Sequence, residues 1–168
     1  KHDELVELVR KEYGGWKGET ATVEIPPEPP QREERTARLS WPTPTLPTLY
    51  IGYHIPAADL DGVNEYAALN VLAQAAFGET SPLYKELVLD EQKAVMLAAD
   101  AEAKRDPGLF TIVARVRSPG EVDEVHTRIY DALEEAARTP IGAARLDASQ
   151  SHLRYAFAGS LDAPDAVT

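Results

Sequence analysis

Residues 94–117, AVMLAADAEAKRDPGLFTIVARVR, decide how this chain is read. Two runs rich in small and branched apolar residues flank Asp106, Pro107 and Gly108, a combination that turns a chain tightly because proline presets φ and glycine tolerates most conformations. In the second run Phe110, Ile112, Ala114 and Val116 fall on one side, since successive strand side chains point to opposite faces. The spacing predicts a pair of strands joined by a hairpin-like turn, with that side facing a core.

Just upstream, GETSPLYKELVLDEQKAV (residues 78–95) starts like a helix and ends like a strand. Ser81 suits an N-cap, Pro82 the first turn, and Leu83 and Leu87 an apolar face opposite Lys85, Glu86, Asp90 and Glu91. Before it, residues 59–78 predict a long helix with Val63, Tyr66, Leu69, Ala73 and Phe77 at helical spacing and Gly78 as its stop. Two alternating segments come earlier, TARLSW (36–41) with Ala37, Leu39 and Trp41 on one face and TLYIGYHI (48–55) with Leu49, Ile51, Tyr53 and Ile55. Trp41 is expected to be packed in the interior. Residues 120–139 predict a helix with Val122, Val125, Ile129, Leu133 and Ala136 on its stripe, and residues 140–162 a second one.

The chain opens in a helix, with Leu5, Leu8, Val9 and Tyr13 on one stripe and Gly14 ending it. Residues 15–35 follow as an extended tether that carries Pro26, Pro27, Pro29 and Pro30. The predicted order is helix, two strands, two helices, two strands, two helices. That order implies an α+β fold, an antiparallel-rich mixed sheet with helices on one face, as a single domain over residues 1–168. The opening in mid-helix, and Asp162 and Pro164 placed as a cap and first turn, suggest a piece of something larger.

With 168 residues and 43% hydrophobic content, a compact domain is within reach. A net charge of -11 repels phosphate backbones and anionic headgroups, which argues against nucleic acid and membrane surfaces as partners. No apolar run approaches the roughly 20 residues of a membrane span. Cysteine is absent, which removes disulfides, thiolate zinc sites and thiol nucleophiles and fits either a reducing cytosol or an oxidising periplasm.

Chemistry is harder to find. A hydrolytic zinc site of the His-x-x-Glu-His kind needs two imidazoles on one helical face, whereas His2, His54, His126 and His152 fall in four different predicted elements. His54 reads as a strand-rim residue, and His126 and His152 as helix residues pointing to water. No Gly-x-Ser-x-Gly elbow or phosphate-cradling glycine loop occurs, since YGGWKGE follows a helix instead of opening one. Glu121, Asp123, Glu124, Glu134 and Glu135 read as solvated charge, and Trp16 as either a binding or a packing aromatic. The residues themselves specify a domain without a catalytic constellation.

An ordered series of short motifs nevertheless resembles the second domain of the pitrilysin or insulinase family of zinc metallopeptidases. It comprises EPPQ (28–31) after the YGGW helix end, Tyr53-His54-Ile55-Pro56, AALNVLAQAAFG (67–78), Ser81 with Leu83, Tyr84 and Leu87, DPGLFTI (106–112) and SQSHLRYAFAGSLD (149–162). The resemblance implies a paired design, in which a first domain bears His-x-x-Glu-His and a second, of similar fold, packs beside it without metal. Two such halves, on one chain or two, close around an unfolded peptide, and the opposite half lends an arginine and a tyrosine to the reacting carbonyl.

By that resemblance the two donor positions fall on Val88 and Val95, and Pro82 stands where relatives often place arginine. Valine offers no hydrogen bond to an oxyanion. The resemblance therefore implies a non-catalytic, chamber-forming domain of a zinc-dependent endopeptidase, inactive alone, with no catalytic residue and no cofactor of its own and with zinc in an upstream domain. Its implied partners are that zinc-bearing domain, a second peptidase half and a peptide substrate. An assembly scaffold built from an inactive relative is the alternative. Because relatives are often exported, the periplasm is the expected compartment, the cytoplasm the alternative.

Overall fold

A computed structural model describes residues 2–18, 24, 26, 28–58 and 63–161. The cap expected at Asp162 and Pro164, and residues 19–23, 25 and 27 of the expected tether, lie outside them. The chain divides into two compact units, residues 1–40 and 41–168.

In the first unit α1, His2–Tyr13, carries Asp3 and Glu4 in its first turn and Arg10 and Lys11 in its last, the arrangement that suits the helix dipole. Gly14 ends it because a Cβ there would lie 2.3 Å from the Arg10 carbonyl oxygen. The Tyr13 and Trp16 rings meet edge to face at 5.0 Å between centroids. No residue of α1 is buried, so its stripe of Leu5, Leu8, Val9 and Tyr13 stays exposed. Residues 36–41 form no strand: Leu39 is 88% and Trp41 70% exposed. Alternation suits a strand only where another backbone can accept its hydrogen bonds, and Pro42, Pro44 and Pro47 follow directly with no N–H to offer. The interior position expected for Trp41 is thereby corrected.

The second unit is built on a three-stranded sheet in the order β1-β3-β2, from β1 (Thr48–Ile55), β2 (Ala94–Ala101) and β3 (Gly108–Val116), antiparallel throughout. The hairpin expected from residues 94–117 is present, with β3 central. Helix α2, Val63–Phe77, lies over β2, its alanines allowing close approach. Gly78 ends it, since a Cβ would lie 2.6 Å from the Gln74 carbonyl oxygen. Buried Ser81 then caps α3, Pro82–Tyr84, its Oγ accepting from the Tyr84 N–H at 3.1 Å. After β3 come α4, Val122–Arg138, and α5, Ala143–Ser160.

The core forms where the helices meet the inner side of the sheet. Phe110, Ile112, Ala114 and Val116 of β3 join Leu97 and Ala101 of β2, Phe77, Leu83, Leu87, Val125 and Ile129 in one cluster. This is an α+β unit with helices on one face of the sheet. Each fully buried large side chain contributes about 1.5–3 kcal/mol by leaving water. Phe77→Ala should therefore cost about 3–5 kcal/mol, whereas Leu39→Ala should stay within about 0.5 kcal/mol. Urea titration followed by circular dichroism checks both, and equal midpoints for the two variants would contradict the packing described.

Candidate functional site

The positions singled out by resemblance lie on the most irregular backbone of the second unit. After the single α-turn of α3, the expected helix continues as a π-helical turn, Lys85–Asp90, closed by the Glu91 N–H donating to the Glu86 carbonyl at 2.8 Å. Val88 sits in that turn, half-buried against the core, while Leu87 beside it is fully buried. Gln92 then takes a left-handed conformation with φ 55°, a strained choice for a residue with a side chain. Val95 falls where the β2–β3 register shifts between Ala94 and Met96, and it is 38% exposed. Bulges redirect side chains and π-turns displace them, so both valines stand at places where the chain departs from regular geometry.

An ionic brace holds this segment to its surroundings. Arg128 of α4 donates from Nη1 to both oxygens of Glu91, at 2.9 and 2.8 Å, and from Nη2 to Glu86. Lys93 pairs with Glu91 at 3.0 Å and with Glu124 of α4. From β3's end, Arg117 donates through Nε to the Gln92 carbonyl and through its backbone N–H to the Lys93 carbonyl, each at 2.8 Å. Hydrogen bonds from Arg128, then Lys93, hold the Glu91 carboxyl below its usual range. Contacts with Glu124, then Glu91, raise Lys93. Burial works against the Arg128 charge, but Glu91 and Glu86 outweigh it and raise its pKa. No local pattern announces this brace, because Glu86 and Arg128 stand 42 residues apart. Glu124, expected to be merely solvated, is one of its members.

The four histidines remain apart: His2 on α1, His54 on β1, His126 on α4 and His152 on α5. His126 is half-buried and stacks on Tyr130 at 4.6 Å between ring centroids, instead of pointing to water. Zinc requires several such donors to converge, and among the described residues no three His, Asp or Glu side chains are placed to share a metal ion. The donor set does not fit a zinc ion. A groove of about 810 Å³ between α2, α3, α4 and the start of α5 is mostly apolar, lined by Leu72, Ala75, Leu83 and Ala132, with Glu86, Arg128, Asp131, Glu135 and Thr139 also at its walls.

The sequence profile of the peptidase M16 inactive domain matches residues 1–153. The chain belongs to the M16 inactive-domain family. No curated protein is significantly similar to it. Among solved structures, this M16 domain superposes with TM-score 0.77 on a protease from Helicobacter pylori, at 22% identity over 99% of this chain and 41% of that one. A protein described as an M16-like peptidase from Alicyclobacillus acidocaldarius follows with TM-score 0.62 at 20% identity, over 73% of this chain and 29% of that one. A peptidase M16 inactive domain from Pseudomonas fluorescens gives TM-score 0.57 at 19% identity, over 71% and 27%. At such identities the likeness is one of fold. The M16 domain spans less than half the length of each of these chains.

The brace makes the M16 domain acid-sensitive in a defined direction. Because Glu91 titrates below the ordinary 4.5 when folded, its contribution is complete above that value and is lost as pH falls through the lower folded one. Wild type should melt higher than Glu91→Gln by a constant margin from pH 7 to about 5, and the margin should shrink below 4.5. Thermal melts at pH 7, 5 and 3.5 test this; an undiminished margin at the lowest pH would show that Glu91 is not the titrating member.

Proposed function

We propose that this chain is a non-catalytic domain of a zinc-dependent endopeptidase, where it forms part of the wall of the space that holds an unfolded peptide. The observation that carries this reading is the match of residues 1–153 to the M16 inactive domain. The geometry is in keeping with a wall. Helices pack on the inner side of the sheet, and its other face carries Tyr50, Gly52, Leu109, Thr111 and Val113 together with His54, Asp100 and Arg115.

In this reading Val88 and Val95 do not take part in the reaction. They present methyl groups where a donor to a developing oxyanion would need an N–H or O–H. Zinc and the His-x-x-Glu-His that binds it belong to another domain of the enzyme, and a second peptidase half closes the chamber. The residues of this chain supply shape, exclusion of water and fixed distance between the other parts.

The purified chain should release no fluorescent peptide from labelled unfolded casein, with or without added zinc. In the complete protease, Val88→Ala and Val95→Ala should each change kcat/KM by less than about threefold, against the 10²–10³-fold expected on removing an oxyanion donor. Zinc-dependent cleavage by the chain alone, or a hundredfold loss in either variant, would overturn the assignment.

A further inference from the structure

Two spacings of five residues meet in the turn that follows α3. Glu86 and Glu91, five apart, are gripped by one guanidinium, that of Arg128 on α4. Leu83 and Val88, also five apart, both pack toward the core, Leu83 buried and Val88 half-buried. An α-helix advances about 100° per residue, so residues five apart point roughly 140° away from each other. In that geometry neither pair shares a side. A π-turn closes after five residues, and here the Glu91 N–H donates to the Glu86 carbonyl at 2.8 Å, which brings both pairs back to one side of the chain.

The slack stored in this turn is confined. Leu83 and Leu87, four apart, stay on one face in either kind of turn, and fully buried Leu87 and Ala94 pin the segment on its two sides. Between them Gln92 is left-handed at φ 55°, a conformation that a residue with a side chain leaves once its surroundings allow. Relaxation of Lys85–Asp90 to α-helical bonding would pass one residue toward Gln92, turn Val88 out to water and carry Glu91 away from Glu86. Arg128 stands against that change. Its side chain is mostly covered, whereas Glu86 is half open to water.

We propose that Arg128 is a conformational latch: by holding Glu86 and Glu91 together it keeps the turn in its π form and Val88 against the core, and its release lets the turn take α-helical bonding while the sheet and the long helices stay in place. The latch couples two elements. Arg128 rides on α4, so a displacement of α4 that takes the guanidinium out of reach of either carboxylate turns the side chain at position 88. Lys93, bound to Glu91 and Glu124, also ties the segment to α4 but does not span the five-residue gap, so it supplies a control of like charge. Nothing in this device depends on proteolysis or on another domain.

Couplings measured across hydrogen bonds by NMR in this chain read the two forms directly. The wild type should show the Glu91 nitrogen coupled to the Glu86 carbonyl carbon, and a left-handed Gln92. Arg128→Met keeps the bulk of the side chain and removes its charge. It should lose that coupling, gain one from Glu91 to the Leu87 carbonyl, return Gln92 to negative φ and abolish the Overhauser contacts of the Val88 methyls with the core, while the signals of Phe77 and Ile112 stay unmoved. Glu86→Ala, at an exposed position, should give the same pattern and carries the test if the methionine variant does not fold. Lys93→Met should leave the wild-type pattern intact. A Glu86 coupling that persists in either of the first two variants overturns the proposal, as does its loss in Lys93→Met, which would make the turn depend on charge in general and not on the bridge. Loss of the Glu86 coupling with no Leu87 coupling in its place overturns it too, since the segment would then fray instead of switching.

Discussion

Phe110, Ile112, Ala114 and Val116 reach from the central strand to Phe77, Leu87, Val125 and Ile129, and this seam joins elements that are far apart in the chain. β3 hydrogen-bonds to both neighbours, so it holds the sheet together while its inner side chains hold the helices. Burial of six or so large side chains supplies on the order of 10 kcal/mol before conformational entropy is counted. The irregular segment and its ionic brace are positioned by that seam: Leu87 anchors the π-turn, Ile129 fixes the helix that carries Arg128, and Val116 precedes the arginine that clasps Gln92.

The irregular segment between Pro82 and Val95 illustrates how strain is tolerated. A left-handed Gln92 costs roughly 1–2 kcal/mol, and a π-turn forgoes ordinary helical hydrogen bonding. Against this stand fully buried Leu87, the capped start at Ser81, and a network in which Arg128 and Lys93 bridge three carboxylates. Isolated surface pairs contribute little, but a guanidinium shared by two carboxylates and largely covered by its neighbours is a better-ordered case. The brace ties the segment to α4 on one side and to the end of β3 on the other. Val88 and Val95 present only methyl groups in this segment, and its supports come from other residues.

Much of this architecture could be read from the chain. Period-two alternation around Phe110 and Ile112, the Asp106-Pro107-Gly108 turn, and the helical stripes through Phe77 and Ile129 are local signals backed by burial, and all correspond to observed elements. Residues 36–41 show the limit of the same signal. Ala37, Leu39 and Trp41 alternate as well as Leu49, Ile51 and Tyr53 do, but strand formation depends on a partner backbone, which alternation does not encode. The π-turn and the bulge at Val95 were illegible for a similar reason, since they are set by how Leu87 and Ala94 reach the core. The site itself was legible only through resemblance, and its ionic brace not at all, because its members are local in space and remote in sequence.

The distribution of cover across the sheet bears on what the domain can do. Within the second unit α2 packs on β2, which leads out of the braced turn, and β1 forms the other edge of the sheet. Local opening follows such differences, being easiest where few apolar contacts must be broken. By that measure the segment that carries Val88 and Val95 is hard to open, since Leu87 is fully buried and Arg128 ties it to α4. The same reasoning applies to α1, which presents Leu5, Leu8, Val9 and Tyr13 to water over only 12 residues, a length at which a helix gains little stability without packing.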